Sequence, residues 1–232
     1  MCNLYSIRTT QEELRRLFDI DAQRDRLGNW PGKDAVFPDG EAPVVRQGAD
    51  GARELLMMRW GMPGPSPDGR PPQPVTNIRN VASPHWRAWL QPEYRCLVPV
   101  TSFCEPHNET KKWHWFGRGG EVRQPFAFAG IWRPWTGARG TKSNPVEGDH
   151  LLYSFLTTEP NEIVRPIHPK AMPVILTEED WETWLTAPAD QVPVIQQRPI
   201  PIELISLIAG NHEKRDPSAE PVNAIPMQGA LI

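Results

Sequence analysis

The first two residues, Met1-Cys2, can support chemistry that no internal position supports. Removal of the initiator methionine, which is usual when the second residue is small, leaves Cys2 with a free α-amine beside its thiol. An α-amine has an ordinary pKa of about 7.7 to 8.0, so part of it is an uncharged nucleophile near neutral pH. Such an aminothiol condenses with an aldehyde through the amine, and its thiol then closes a five-membered thiazolidine ring. Cys2 is therefore a candidate nucleophile; the alternative is a cysteine that occurs by chance at a frayed terminus.

Three further polar residues stand at the ends of expected strands or turns: Asn77, Glu105 and His168. Amine–aldehyde chemistry requires an acid/base while the carbinolamine loses water, a second acid/base at a substrate oxygen, and a neutral hydrogen-bonding residue that positions the nucleophile. Each residue also has a purely structural interpretation. The glutamate can be a surface residue, the histidine a half-buried packing residue, and the asparagine a turn residue.

A zinc site is a weaker alternative. Its ligands would come from a loose set of residues: Cys96, Cys104, His107 and either His85 or His114. Zinc knuckles need a second ligand pair at close spacing, and none follows here. Residues 117–120 are glycine-rich but lack the Lys-Ser/Thr ending of a phosphate loop, so they predict a hairpin turn. We expect no metal and no cofactor.

Arginines lie beside aromatic residues at several points, as in Arg59-Trp60 and His85-Trp86-Arg87. Proteins hold single-stranded nucleic acid in basic grooves with aromatic stacking platforms. We expect Arg59, Trp60, Arg79 and His85 to contribute such contacts. Trp86 belongs to a helical apolar stripe and is assigned mainly to packing.

Composition limits the class of protein. The chain has 232 residues, 39% of them apolar and 23% charged, with a net charge of −3. We expect one domain spanning residues 1–232, without a basic coat, a secretory signal or an apolar run long enough for a membrane helix. Three cysteines do not make a disulfide framework, which is typical of a reducing compartment. The chain is expected to be a cytoplasmic monomer without a membrane partner.

The 27 prolines predict many turns and few long helices. Thr10 and Glu13 form a capping box ahead of a predicted helix at 11–18, and Asp50-Gly51 predicts a hairpin turn. Further helices are expected from Ser83 and from about residue 180. Strands are expected at 3–7, 42–47, 52–60, 93–103, 124–132, 150–158 and 171–176, with irregular connections at 24–40 and 133–149. This pattern favours an α+β fold with a curved, mostly antiparallel, barrel-like β core flanked by short helices.

Five features taken together resemble one family. They are Met1-Cys2, Trp60-Gly61, Asn77-x-Arg79, a strand ending at Glu105, and Ile167-His168-x-x-x-Met172-Pro173. In this order and spacing they resemble the SOS-response-associated peptidase (SRAP) family of abasic-site processing proteins. The resemblance implies recognition of abasic sites in single-stranded DNA and a thiazolidine crosslink to the open-chain deoxyribose aldehyde. It also implies a peptidase activity that releases the chain's own Met1, and association with the nucleoid when DNA is bound.

The resemblance also implies roles for individual residues. Cys2 is the nucleophile, Asn77 positions its amine or the sugar, Glu105 moves protons in Schiff-base formation, and His168 is the acid/base at the sugar hydroxyl, including crosslink reversal. Arg79 holds a phosphate beside the lesion, and Trp60 lines the DNA groove.

The chain departs from the family pattern near the N-terminus. Many members continue with Gly-Arg, whereas Asn3 and Leu4 follow Cys2 here, which leaves Arg8 as the replacement for that arginine. The neighbours of Glu105 also differ from the aromatic residues that are common there. Two alternatives remain: an N-terminal-nucleophile amidohydrolase of the glutaminase type that uses Cys2, and a non-covalent single-strand binding module in which Cys2 is incidental.

Overall fold

The computed structural model describes residues 2–66, 72–119, 123–141, 143–208 and 212–217. Within these residues the strands are β1 (Tyr5–Ile7), β2 (Lys33–Val36), β3 (Glu41–Gln47), β4 (Arg53–Trp60), β5 (Met62–Pro63), β6 (Pro74–Val75), β7 (Asn77–Ile78), β8 (Arg95–Val100), β9 (Ser102–Pro106), β10 (Trp113–Gly117), β11 (Phe126–Thr136), β12 (Arg139–Thr141), β13 (Asn144–Val146), β14 (Asp149–Thr158), β15 (Met172–Pro173), β16 (Ile175–Leu176) and β17 (Ser206–Ile208). The α-helices are α1 (Gln11–Leu17), α2 (Asp180–Thr186) and α3 (Val192–Gln197). Short 3₁₀ helices cover Ala22–Arg24, Arg87–Leu90, Pro92–Tyr94, Ala189–Gln191 and Ile202–Leu204.

A closed barrel of five strands forms the core. β4 pairs with β3, β3 with β8, β8 with β11 and β11 with β14, all antiparallel, and a parallel pairing of β14 with β4 closes the ring. The strands are rich in β-branched and aromatic residues, and their inward side chains make one continuous apolar cluster. The expected barrel-like β core with short helices is therefore confirmed.

A second sheet of five strands, in the order β17-β10-β9-β1-β2, carries the N-terminus. β1 lies between β2 and β9, with Tyr5 opposite both Val36 and Phe103. This pairing ties the start of the chain into the sheet instead of leaving it frayed. The same sheet carries Glu105 in β9, so the first residues and this carboxyl group are held by neighbouring strands.

The short two-residue strand β7 runs parallel to β14, with Asn77 opposite Phe155 and Ile78 opposite Leu156. It brings the Asn77 segment to the edge of the barrel, beside the N-terminal sheet. Three distant segments, namely the N-terminus, β7 and the end of β9, therefore meet at one place.

Local signals were the most reliable guides to the elements. The capping box of Thr10 and Glu13 is present, and Gly51 has a positive φ of 81° in the turn between β3 and β4. The prediction of an irregular stretch at 24–40 was wrong for β2, and the prediction of one strand over 93–103 was wrong because the chain forms β8 and β9 there. The stretch after Ser83 forms a 3₁₀ helix instead of an α-helix. Residue 120 of the hairpin turn expected at 117–120 lies outside the described residues.

No helix in the described part of the chain is long and apolar enough to cross a membrane.

Candidate active site

Cys2 is fully buried where the second sheet meets the barrel. Its Sγ donates to the carbonyl oxygen of Leu4 at 3.4 Å, and that oxygen also accepts from the backbone N–H of Cys104 at 2.9 Å. Cys104 precedes Glu105 in β9. These hydrogen bonds thus place Cys2 beside the part of β9 that carries the Glu105 carboxyl group.

Asn77 fixes the backbone of residue 2. Its Nδ2 donates to the Cys2 carbonyl oxygen at 2.7 Å and to Thr76 Oγ1 at 2.8 Å. Asn77 is only 7% exposed, and among the described residues its buried Oδ1 has no hydrogen-bond partner. A buried amide oxygen of this kind is suited to accept a hydrogen bond from an incoming group.

Glu105 and His168 form the polar centre of the site. Glu105 is fully buried, and burial raises its pKa from the ordinary 4.5 to about 8, against the opposing effect of the positive charge at the chain's amino terminus. His168 Nε2 lies 3.8 Å from Glu105 Oε2, which is too long for a direct hydrogen bond. A direct proton transfer between these two atoms therefore requires them to move closer together.

His168 is held in one orientation by the strand that carries Glu105. Its Nδ1 lies 3.4 Å from the Pro106 carbonyl oxygen, and because a carbonyl only accepts, Nδ1 is the protonated nitrogen. Burial lowers the pKa of His168 below the ordinary 6.5. Near neutral pH the ring is uncharged, and its unprotonated Nε2 is the nitrogen that lies 3.8 Å from Glu105 Oε2, so it is a suitable proton acceptor.

The Cys2 thiol is held in its neutral form. Burial raises its pKa well above the ordinary 9.0, and the negative charge of Glu105, when ionised, acts in the same direction. A thiolate is the reactive form of cysteine, so a group of this kind is a poor first nucleophile. The site as a whole combines a neutral carboxylic acid, a neutral imidazole and an unionised thiol around the start of the chain.

The predicted DNA-contact residues lie in different surroundings. Arg79 follows β7 and pairs with Glu159, with 41% of its side chain exposed. Arg59 is held by Asp39 and Glu41, at 3.7 and 3.1 Å. His85 Nε2 donates to the Pro63 carbonyl oxygen at 3.0 Å. A phosphate contact at Arg79 or Arg59 requires the arginine to exchange a carboxylate for the phosphate.

One predicted DNA contact is corrected by the structure. Trp60 is fully buried: its ring stacks on Phe155 at 5.1 Å, and its Nε1 donates to the Thr76 carbonyl oxygen at 3.1 Å. Its ring has no face for a base, and we assign it to the core. Arg8 pairs with Asp34 at 3.4 Å, so a phosphate contact there also requires the arginine to exchange a carboxylate for the phosphate.

The zinc alternative finds no support in the geometry. Cys96 is buried in barrel strand β8, whereas Cys104 is buried in β9 of the other sheet. Within the residues that the structure describes, no three His, Cys, Asp or Glu side chains are arranged to hold a metal ion.

Thr157 is a candidate that the sequence analysis missed. It lies on β14, is 1% exposed, and its Oγ1 has no hydrogen-bond partner in the described part of the chain. Strand alternation places it on the same face as Tyr153 and Phe155, both of which contact Tyr5. A polar residue that alternates with the apolar side chains on the inward face of a strand is the signal by which it could have been found.

The chain is similar to known proteins over most of its length. The family model described as "SOS response associated peptidase (SRAP)" matches residues 1–206. The chain belongs to the SRAP family. The SRAP chain is 25% identical over 199 residues to the abasic site processing protein YoqW of Bacillus subtilis, with 80% of each chain covered. It is also 25% identical over 200 residues to the abasic site processing protein YoaM of the same organism, with 80% of this chain and 79% of YoaM covered.

Solved structures share the SRAP fold. A protein from Bordetella bronchiseptica matches with a TM-score of 0.68 and 22% identity, covering 90% of this chain and 100% of that one. A protein from Bacteroides thetaiotaomicron matches with a TM-score of 0.62 and 18% identity, covering 89% and 90%. At these identities the likeness concerns the fold alone.

Proposed function

We propose that this SRAP chain captures abasic sites in single-stranded DNA as a covalent thiazolidine at Cys2 after Met1 has been removed. The observation that carries the proposal is the Asn77 hydrogen bond to the Cys2 carbonyl oxygen, beside the buried Glu105 and His168 pair. The names of the relatives, abasic site processing proteins, supply the substrate class. The chain acts as a monomer in the DNA damage response and shields the lesion from strand cleavage.

In the first step the uncharged terminal amine of Cys2 adds to the aldehyde carbon of the open deoxyribose, which gives a carbinolamine. Glu105, protonated at neutral pH because its pKa is about 8, donates its proton to the carbinolamine oxygen. The C–O bond breaks, water leaves, and the nitrogen becomes an iminium. His168 moves the proton of the sugar hydroxyl when the ring opens, and it acts again when the crosslink reverses.

In the second step the Cys2 thiol transfers its proton to the Glu105 carboxylate and attacks the iminium carbon. The new C–S bond closes the thiazolidine, the nitrogen becomes a neutral amine, and Glu105 regains its starting form. The sum of both steps is the loss of one water. Asn77 keeps the Cys2 backbone in place throughout, so the amine and thiol meet the same carbon in turn.

The neutral state of the thiol favours this order over the amidohydrolase alternative. An N-terminal-nucleophile hydrolase begins with attack by sulfur, which needs the thiolate, whereas burial and Glu105 both oppose its formation. The amine-first route requires sulfur only after a reactive iminium has formed. We also assign the release of Met1 to this site, so that Glu105→Gln protein retains Met1 when its intact mass is measured.

Incubation with a single strand that contains one abasic site, followed by denaturing electrophoresis, tests the proposal. The parent protein is expected to give a persistent shifted band, and Cys2→Ala is expected to give none. Cys96→Ala removes another fully buried cysteine and is the matched control, which should crosslink like the parent. The proposal fails if Cys2→Ala crosslinks as stably as the parent. Glutamine turnover without a band supports the amidohydrolase, and retention lost on denaturation supports the binding module.

A further inference from the structure

The strand that carries Asn77 has little hydrogen bonding of its own. β7 contains two residues, and among the strands that the structure describes it pairs with β14 alone. Such a short strand is held by few backbone hydrogen bonds, so its register depends on other contacts. Just beyond β7, the carbonyl oxygen of Arg79 accepts a hydrogen bond from a helix and not from another strand.

Gln196 supplies the missing donor. This side chain of α3 is 5% exposed, and its Nε2 donates to the Arg79 carbonyl oxygen at 2.8 Å and to the Thr157 carbonyl oxygen at 2.9 Å. An amide nitrogen has two hydrogens, so both are used. Because both partners are carbonyl oxygens, which only accept, the orientation of the amide is fixed. Gln196 thus joins the end of β7 to β14.

The helix that carries Gln196 is itself firmly placed. Val192 and Ile195 are buried on the same helix and belong to the main apolar cluster. The amide therefore acts as a fixed point to which the end of β7 is attached.

We propose that Gln196 is a positioning residue for the covalent step: it sets the register of β7 so that Asn77 meets the Cys2 carbonyl oxygen. This inference rests on the proposed function. Arg79 comes two residues after Asn77, directly beyond the end of β7. A shift of β7 consequently moves both the group that holds the nucleophile and the predicted phosphate contact. Misplacement of a positioning group by about 1 Å can slow a reaction about a hundred-fold.

The test replaces the amide by a side chain of similar length without a donor, Gln196→Met. Gln197→Met is the matched control, because Gln197 is the next residue of the same helix and is exposed. Crosslinking is measured as a single-turnover rate with saturating abasic single-stranded DNA, and folding is checked by thermal unfolding. Gln196→Met is expected to slow the step at least ten-fold, of the order seen for displaced positioning groups, with Gln197→Met within about two-fold of the parent.

A double-mutant cycle separates positioning from general structural support. If Gln196 acts through Asn77, adding Gln196→Met to Asn77→Ala slows the residual rate by less than about two-fold. The inference would be overturned if the rate of the double variant fell by the product of the two single-variant factors. A Gln196→Met rate within two-fold of the parent would also overturn it. If Gln196→Met does not fold, Gln196→Asn, which keeps the donors one methylene further back, replaces it in the same cycle.

A second readout keeps this test apart from that of the proposed function. If the parent protein forms no crosslink, the proposed function is wrong. Hydrogen exchange then tests by itself whether Gln196 holds the end of β7 in place. The backbone amides of residues 77–79 should exchange faster in Gln196→Met than in Gln197→Met. Equal exchange in the two variants contradicts the role assigned to Gln196.

Discussion

Replacement of Glu105 by glutamine should stabilise the protein increasingly as the pH rises. In the folded protein, burial holds the Glu105 pKa at about 8, whereas the unfolded chain has the ordinary 4.5. Between these values the folded state keeps a proton that the unfolded state has lost. A rise in pH therefore favours unfolding of the parent across this window, and glutamine, which does not titrate, removes the effect.

The two pKa values of Glu105 bound the size of this effect. Each pKa unit corresponds to about 1.4 kcal/mol, so the rise from 4.5 to about 8 sets a ceiling of about 5 kcal/mol at pH 8. We expect the free energy of unfolding of Glu105→Gln to exceed that of the parent at pH 8 by roughly 2 to 5 kcal/mol more than it does at low pH. For a chain of 232 residues, each kcal/mol moves the melting temperature by about 2 to 4 °C.

Urea unfolding of both proteins at pH values from 4.5 to 8 measures the difference directly. Glu109→Gln is the matched control: it is the same substitution at an exposed residue beyond the end of β9, and it should stay within about 0.5 kcal/mol of the parent at pH 8. A stability difference between Glu105→Gln and the parent that stays constant over this pH range would refute a buried, protonated Glu105. The same result would refute Glu105 as the acid that we assign to the dehydration step.

The remaining predictions concern other parts of the account. Crosslinking should follow a bell-shaped pH profile with its maximum between about pH 7 and 8, because it needs an uncharged amine and a protonated Glu105; a rate that still climbs at pH 9 would contradict this. Trp60→Ala should cost about 3 to 5 kcal/mol in urea unfolding, as expected for a core residue, and a loss under 1 kcal/mol would restore it as a surface residue. Glu159→Gln should tighten binding of undamaged single-stranded DNA, because it releases Arg79 from its ion pair. Arg79→Ala should lower the salt dependence of that binding, the slope of log affinity against log salt concentration, by about 0.7. Equal affinities of the parent and both variants in a salt titration would count against this phosphate contact. Asp216→Ala should cost about 1 to 3 kcal/mol in urea unfolding, since this buried carboxylate accepts from two serine hydroxyls, and an unchanged unfolding midpoint would show that the contact adds nothing.

The predictability of the fold followed the range of the interactions. The capping box at Thr10 and the turn at Gly51 were visible because each is specified by a few adjacent residues. β2 was missed because its pairing partner β1 lies far away in the chain. β10 was missed because it does not alternate clearly, although it forms a hairpin with the preceding strand β9. The stripe of Trp86, Trp89 and Leu90 fits an α-helix and a 3₁₀ helix almost equally well, so spacing did not separate them.

The site was predicted by resemblance more than by physical derivation. Cys2 was singled out by its position, but Asn77 and Glu105 became specific only as members of a family pattern. Their meeting depends on the pairing of β7 with β14 and of β1 with β9, which no local signal specifies. Burial decided the rest: the exposure of Trp60 could not be known from its neighbours in sequence, and the role of Gln196 depends on two distant carbonyl oxygens.

The intact mass of the purified crosslink, measured before and after borohydride treatment, tests the central claim most directly. The account predicts the mass of the chain without Met1 plus that of the DNA minus one water, and no change with borohydride, because a thiazolidine has no C=N bond to reduce. Cys2→Ser, which keeps the amine but lacks the thiol, should give an adduct that gains two hydrogens under the same treatment. An adduct of the parent protein that retains Met1, or that takes up two hydrogens, would contradict capture by the amine and thiol of Cys2.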